Sequence, residues 1–281
     1  MCIIPDAYGK VHAMNTKSSR FITVRSGLPI IAGFFILLTT GCYAETGGQP
    51  DSSAEPGDRT VLITGANRGI GLELARQFNE AGWQVIGTAR KPDQAEALRG
   101  HGVRIMQLDV TDQDSVDQMA VDLGKQAVDL LINNAGILPR APSISETDFD
   151  DVTLALAVNT IGPMRVTRAL LPNLQSGDGK TIVNITSGLG SIANNSGGGF
   201  YGYRESKAAL NMFTRSLANE LRSEGFICVV VHPGWVQTDM GGANATLTAQ
   251  QSVQGIRNVI EDLAAEDSGT FWNFDGTPLP W

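Results

Sequence analysis

The stretch TVLITGANRGIGLELARQFNEAG, Thr60 to Gly82, decides the fold. A short β-rich run, TVLI, leads directly into TGANRGIG and then into a helical pattern. Gly65, Gly69 and Gly71 stand in the spacing G-x-x-x-G-x-G within that turn. Glycines there let the chain turn tightly and let its backbone approach a pyrophosphate, which then sits on the helix N-terminus. A glycine-rich turn alone is a weak signal. At the first strand-to-helix junction of an alternating chain it marks a dinucleotide site.

The alternation continues to the end. The β-rich runs WQVIGTA, VRIMQLDV, VDLLINNA, KTIVNIT and FICVVVHPG are separated by longer helical patterns. Six such runs, counting TVLIT, predict βαβ units in one doubly wound α/β domain, with helices on both faces of a parallel sheet. With 281 residues and 42% hydrophobic content, the chain can bury a large core. Its net charge of −8, without basic clusters, argues against a nucleic-acid surface. Three cysteines with no CxxC argue against a disulfide framework or a structural zinc, and no metal site is expected. Cys228, within FICVVV, reads as a small core hydrophobe.

The first 58 residues differ from the rest. Lys17, Arg20 and Arg25 precede an apolar run from Leu28 to Leu38, about half of what a spanning helix needs. Residues 1–41 are therefore expected to be a signal segment and 42–58 a polar Gly/Pro/Ser-rich linker, leaving 59–281 as the folded domain. LLTTGCYAE resembles a lipobox, with Thr39 where a larger aliphatic residue is usual. The expectation is a lipid anchor on Cys42, which would hold the protein at a membrane outside the cytoplasm. A cytoplasmic enzyme with an unprocessed N-terminus is the alternative.

Two arginines modify the nucleotide site. Arg68 lies inside the glycine turn, beside Asn67 and Ile70. Arg90 follows the second strand, where a protein preferring NAD places an acid for the ribose 2′-OH. Arginine suits the additional phosphate of NADP, so NADP is the expected cofactor and NAD the alternative. Asp109 ends the third strand and is a candidate for the adenine or for capping the next helix.

The chemistry is expected in FYGYRESKAAL, Phe200 to Leu210. Tyr203 and Lys207 are four residues apart and share a helix face. A neighbouring ammonium favours the phenolate and would make Tyr203 a usable acid and base. Tyr201 has Glu205 at the same spacing, which would act the other way. Ser187 ends the strand TIVNIT at the carboxyl edge of the sheet, where its hydroxyl could hold a substrate oxygen. Ser191 competes from further along the loop. His232 at a strand end reads as a hydrogen-bonded structural residue. Trp235 and Met240 read as core or as walls of a substrate pocket.

TGANRGIG, INNAG (Ile132 to Gly136), LAVNTIGP, NITSG, YRESK and HPGWVQTDMGG occur in the order seen in the short-chain dehydrogenase/reductase family, which this chain resembles from Arg59 to Trp281. Within it the chain is most similar to the C-factor-like and sniffer-like carbonyl reductases. The resemblance implies a reductase of small carbonyl compounds with Tyr203 as acid/base, Ser187 on the substrate oxygen and Lys207 on the nicotinamide ribose. It implies that Asn159 helps hold a water that links the lysine to solvent. Asn133, Ala135 and Gly136 either contact the cofactor or support the sheet. Pro233, Gly234, Val236 and Thr238 would cover the nicotinamide. Family members commonly pair through the helices that carry Asn159 and Tyr203, so a homodimer is expected. The rival is a dinucleotide-binding signalling or structural protein with little turnover.

Overall fold

The computed structural model describes residues 59–281. The signal segment, the linker and Cys42 lie outside the described residues. Seven parallel strands form one sheet in the order β3-β2-β1-β4-β5-β6-β7. The strands are β1 (Thr60–Ile63), β2 (Gln84–Ala89), β3 (Arg104–Gln107), β4 (Leu130–Asn133), β5 (Thr181–Ile185), β6 (Ile227–His232) and β7 (Phe271–Asn273). The helices are α1 (Gly69–Glu80), α2 (Glu96–Arg99), α3 (Gln113–Leu123), α4 (Phe149–Leu156), α5 (Gly162–Gln175), α6 (Tyr203–Glu220) and α7 (Ala249–Glu261).

Strand alternation feeds two cores. Val61 and Ile63 point to the face covered by α1 and α7, where they meet Leu74, Phe78, Val253 and Ile256. Leu62 points to the other face, with Val116 of α3, Leu170 of α5 and Leu217 of α6. Each fully buried Leu, Ile or Phe contributes about 1.5–3 kcal/mol. Cys228 is buried in the second core, and burial pushes its thiol up to about 12. It packs as a hydrophobe.

The sheet reverses its order between β1 and β4, and the loops at that carboxyl edge build the cleft. β7 went unread in the sequence. Its three residues, FWN, are too few to show alternation. The helix that carries Asn159 runs on through Gly162-Pro163. α4 passes through a π-turn, Ala157–Ile161, into α5, with Gly162 opening α5 and Pro163 next to it.

Candidate active site

The cleft has a volume of about 1290 Å³ and runs along the carboxyl edge of the sheet from Arg90 to Tyr203. Gly65, Asn67, Arg68, Gly69, Ile70 and Gly71 form one wall. Gly65 and Gly69 have φ of +64° and +55°, the region that favours glycine. At Gly71 a Cβ would collide with the Gly65 carbonyl oxygen and the Asn134 amide. The turn is therefore a backbone cradle with no room for side chains. Asn134 fastens it to β4 by donating from Nδ2 to the Thr64 and Gly65 carbonyls at 3.0 and 3.1 Å.

Arg90 and Lys91 line the cleft where β2 ends, with Asp109 opposite. Asp109 does not cap the next helix, since Asp112 holds that position by accepting from Asp114 N at 3.1 Å. The Asp109 carboxylate instead accepts from the hydroxyl and amide of Thr111, at 2.7 and 2.9 Å. Those bonds, then the Arg90 charge, hold it below the usual carboxylate range. No acid immediately follows β2 to receive a ribose 2′-OH, whereas two exposed cations do. The cradle, the cations and the cleft's size fit NADP.

At the other end Tyr203, Lys207 and Ser187 come together. All three are buried, and Tyr203 and Lys207 line the cleft. The Ser187 hydroxyl accepts from Leu189 N at 3.1 Å and lies close enough to the Tyr203 phenol to act on its pKa. Lys207 Nζ donates to the Ile185 carbonyl at 2.8 Å and lies 5.9 Å from the centre of the Tyr203 ring. The balance of effects differs from the spacing argument. Burial pushes the Tyr203 phenol up, and the neighbouring Ser187 hydroxyl opposes it. Burial holds Lys207 down at about 8, because an ammonium loses its hydration there.

Asn159 is fully buried beneath the loop after β4. It accepts from Ile137 N and donates to Ile137 O and Ser206 Oγ, each at 2.9 Å. Gly136 lies between its amide and Lys207, where a Cβ would press on Asn159 Oδ1 at 3.2 Å and touch Lys207 Nζ at 3.7 Å. Ser191 is excluded as the substrate serine. Its hydroxyl donates to the Pro280 carbonyl at 2.6 Å and ties down the C-terminal segment. Tyr201 is half-buried, and neighbouring Glu205 accepts from Gly202 N at 2.6 Å as part of the α6 cap.

Ala135, Gly136, Pro233 and Thr238 line the cleft as expected, but Asn133 does not. As the last residue of β4 it points into the core, where Nδ2 donates to Asn184 Oδ1 at 2.8 Å. Gly234 and Val236 are not on the wall either. Gly234, at φ +80°, packs on Leu247 and Phe274, and Val236 is buried. Met240 lines the cleft, while Trp235 is exposed with its indole N–H donated to Gly241 O at 2.9 Å, so neither is core. His232 is not hydrogen-bonded as expected. Its Nδ1 has no partner among the described residues, and burial lowers its pKa to about 4. Lys91, Arg140 and Gln237 line the cleft without having been expected there, and Asn134 lines it as part of the segment Asn133 to Gly136 that was expected to shape it. Lys91 carried a signal, as a second cation after the second strand.

Residues 59–248 match the family model described as short chain dehydrogenase. The chain is 49% identical over 154 residues to C-signal of Myxococcus xanthus, covering 55% of this chain and 93% of that protein. It is 35% identical over 229 residues to 1-hydroxy-2-glutathionyl-2-methyl-3-butene dehydrogenase of Rhodococcus, covering 79% of this chain and 99% of that one. Two solved structures are similar at 36% identity, each over 79% of this chain and 99% of its own. They are the carbonyl reductase Sniffer of D. melanogaster, with a TM-score of 0.75, and an NADPH-bound carbonyl reductase from chicken fatty liver, with 0.74.

Proposed function

This chain belongs to the short-chain dehydrogenase family, and from that premise we propose how its cleft performs carbonyl reduction. The protein is an NADP-dependent oxidoreductase that interconverts a carbonyl and an alcohol. The observation that carries the residue assignment is the meeting of Tyr203, Ser187 and Lys207 at one end of a cleft whose other end is a phosphate cradle.

The glycine turn and the helix N-terminus of α1 would hold the pyrophosphate, and Arg68, Arg90 and Lys91, which line the cleft, would hold the 2′-phosphate. NADPH held in this way supplies the hydride. Ser187 and Tyr203 bind the substrate oxygen between their hydroxyls and stabilise the negative charge that develops on it. Tyr203 then gives that oxygen its proton. Burial keeps the phenol protonated but makes it a weaker acid, and the neighbouring Ser187 hydroxyl, which lowers its pKa, works toward proton donation. Lys207 sits where it can hold a ribose hydroxyl and return a proton to Tyr203. Asn159 fixes the loop that carries Gly136 and so keeps the approach to Lys207 open. The direct test is a panel of aldehydes and ketones assayed with NADPH and with NADH. Oxidation of NADPH that depends on the carbonyl, and exceeds that of NADH, is expected. No turnover with any carbonyl would return the chain to a binding role.

Two further readings extend beyond the cleft. A homodimer formed on α4, the π-turn, α5 and α6 is supported by exposed apolar side chains there: Phe149, Ile161, Met164 and Met212. A lipid anchor at Cys42 is supported by the basic residues, the apolar run and the lipobox-like LLTTGC. It would place the enzyme at a membrane outside the cytoplasm.

A further inference from the structure

Most charged side chains of the cleft are accounted for by the cofactor. Arg68, Arg90 and Lys91 suit its phosphates, and Lys207 its ribose. Arg140 is left over.

Its position is fixed from three sides. The chain leaves β4 through Gly136, in front of Lys207, and reaches Arg140 four residues later. Arg140 Nη2 donates to the Met240 carbonyl at 2.9 Å, across the mouth of the cleft. Two residues beyond Arg140, the Pro142 carbonyl abuts Gly199 in the loop that leads into Tyr203. Arg140 therefore stands outside the reacting end, where the segments around Tyr203 and Met240 converge. Leu138, Leu154, Val158 and Met240 line the cleft with it.

Its charge is also uncompensated. The bond to Met240 uses one of the guanidinium's five N–H donors. None of the ion pairs among the described residues includes Arg140. The nearest acid in sequence to its partner is Asp239, whose carboxylate pairs with Arg68 Nη1 at 3.1 Å instead. In a chain with 29 acidic residues, this leaves an arginine with free donors at the rim of an apolar pocket.

We propose that Arg140 is a specificity-determining residue that binds an anionic group of the substrate, and that the enzyme favours carbonyl compounds with an apolar body and a carboxylate. The inference rests on Tyr203 marking the reacting end. A planar guanidinium with free N–H groups matches a carboxylate's two oxygens. The apolar side chains beside it match the body between the carboxylate and the carbonyl.

The test uses the full-length protein with NADPH and a series of ω-benzoylalkanoates of increasing chain length, each paired with its methyl ester. The acid of best length should have a KM about fivefold or more below that of its ester, as one partly exposed ionic contact allows. Added salt should erode this advantage, because the contact is screened. Arg140→Gln keeps a polar amide but carries no charge. It should remove the advantage by raising the KM of the acid more than that of the ester, while Arg140→Lys should keep part of it. Independently of turnover, 4-phenylbutanoate should bind the NADP⁺-loaded protein more tightly than its methyl ester by calorimetry. Equal KM and equal binding for acid and ester, or equal losses for both in Arg140→Gln, would overturn the proposal. If neither ketone is reduced but phenylbutanoate still outbinds its ester through Arg140, the anion site stands and the reductase reading fails. Should Arg140→Gln not fold, the salt dependence of the wild-type acid–ester difference decides.

Discussion

Burial, more than charge proximity, sets the chemistry of single residues in this cleft. Lys207 is an ammonium enclosed by protein, and its pKa falls from 10.5 to about 8. Between those values the unfolded chain binds the proton and the folded one does not, so stability rises with pH across that window. The full cost of burying the charge is present below about pH 8 and is relieved as pH approaches 10.5, a change of roughly 3 kcal/mol. Urea melts of the parent and of Lys207→Met should show it. The stability of the parent relative to the variant should improve by that order between these two pH values. A constant difference would mean that Lys207 is not desolvated in the folded protein. Tyr203 and Lys207 were legible in the sequence, because spacing alone puts them on one helix face. The balance of forces on them was not, since desolvation depends on everything packed around a side chain. Asn133 illustrates the same limit. Its neighbour Asn134 faces the cleft and Asn133 the core, and only the pleat of β4 decides between them.

At the scale of elements, the glycine turn and the strands before and after it were readable because backbone needs fix residue type. Gly65 and Gly69 require positive φ, and Gly71 has no space for a Cβ. β7 and the π-turn were not readable. A three-residue strand has no period, and a π-turn has no composition that separates it from an α-helix. The π-turn, α5 and α6 carry exposed apolar side chains, Ile161 and Met164, each about two-fifths exposed, and Met212 at 68%. Apolar side chains on one helical surface suit a self-complementary interface. Light scattering should give twice the monomer mass, and Ile161→Glu should shift the species toward monomer without unfolding it. A monomeric parent would refute the pairing.

For the molecule as a whole, the doubly wound sheet followed from alternation alone, and its seven parallel strands place every cofactor loop on one edge. What lies before Arg59 bears on where the enzyme works. If Cys42 carries the anchor, the full-length protein should sediment with membranes, and Cys42→Ser should lose fatty-acid labelling and run at a higher apparent mass as cleavage fails. A parent protein that is soluble, unlabelled and still carries residues before Cys42 would return the enzyme to the cytoplasm.

The central claim is that one phenol, Tyr203, protonates the substrate oxygen while its neighbour Tyr201 does not. Steady-state reduction of a single carbonyl by Tyr203→Phe and Tyr201→Phe, with NADPH affinity measured in parallel, tests it most directly. Tyr203→Phe should lose roughly 10²–10⁴-fold in kcat while still binding NADPH, and Tyr201→Phe should stay near the parent. Parental turnover in Tyr203→Phe, or the larger loss in Tyr201→Phe, would contradict the account.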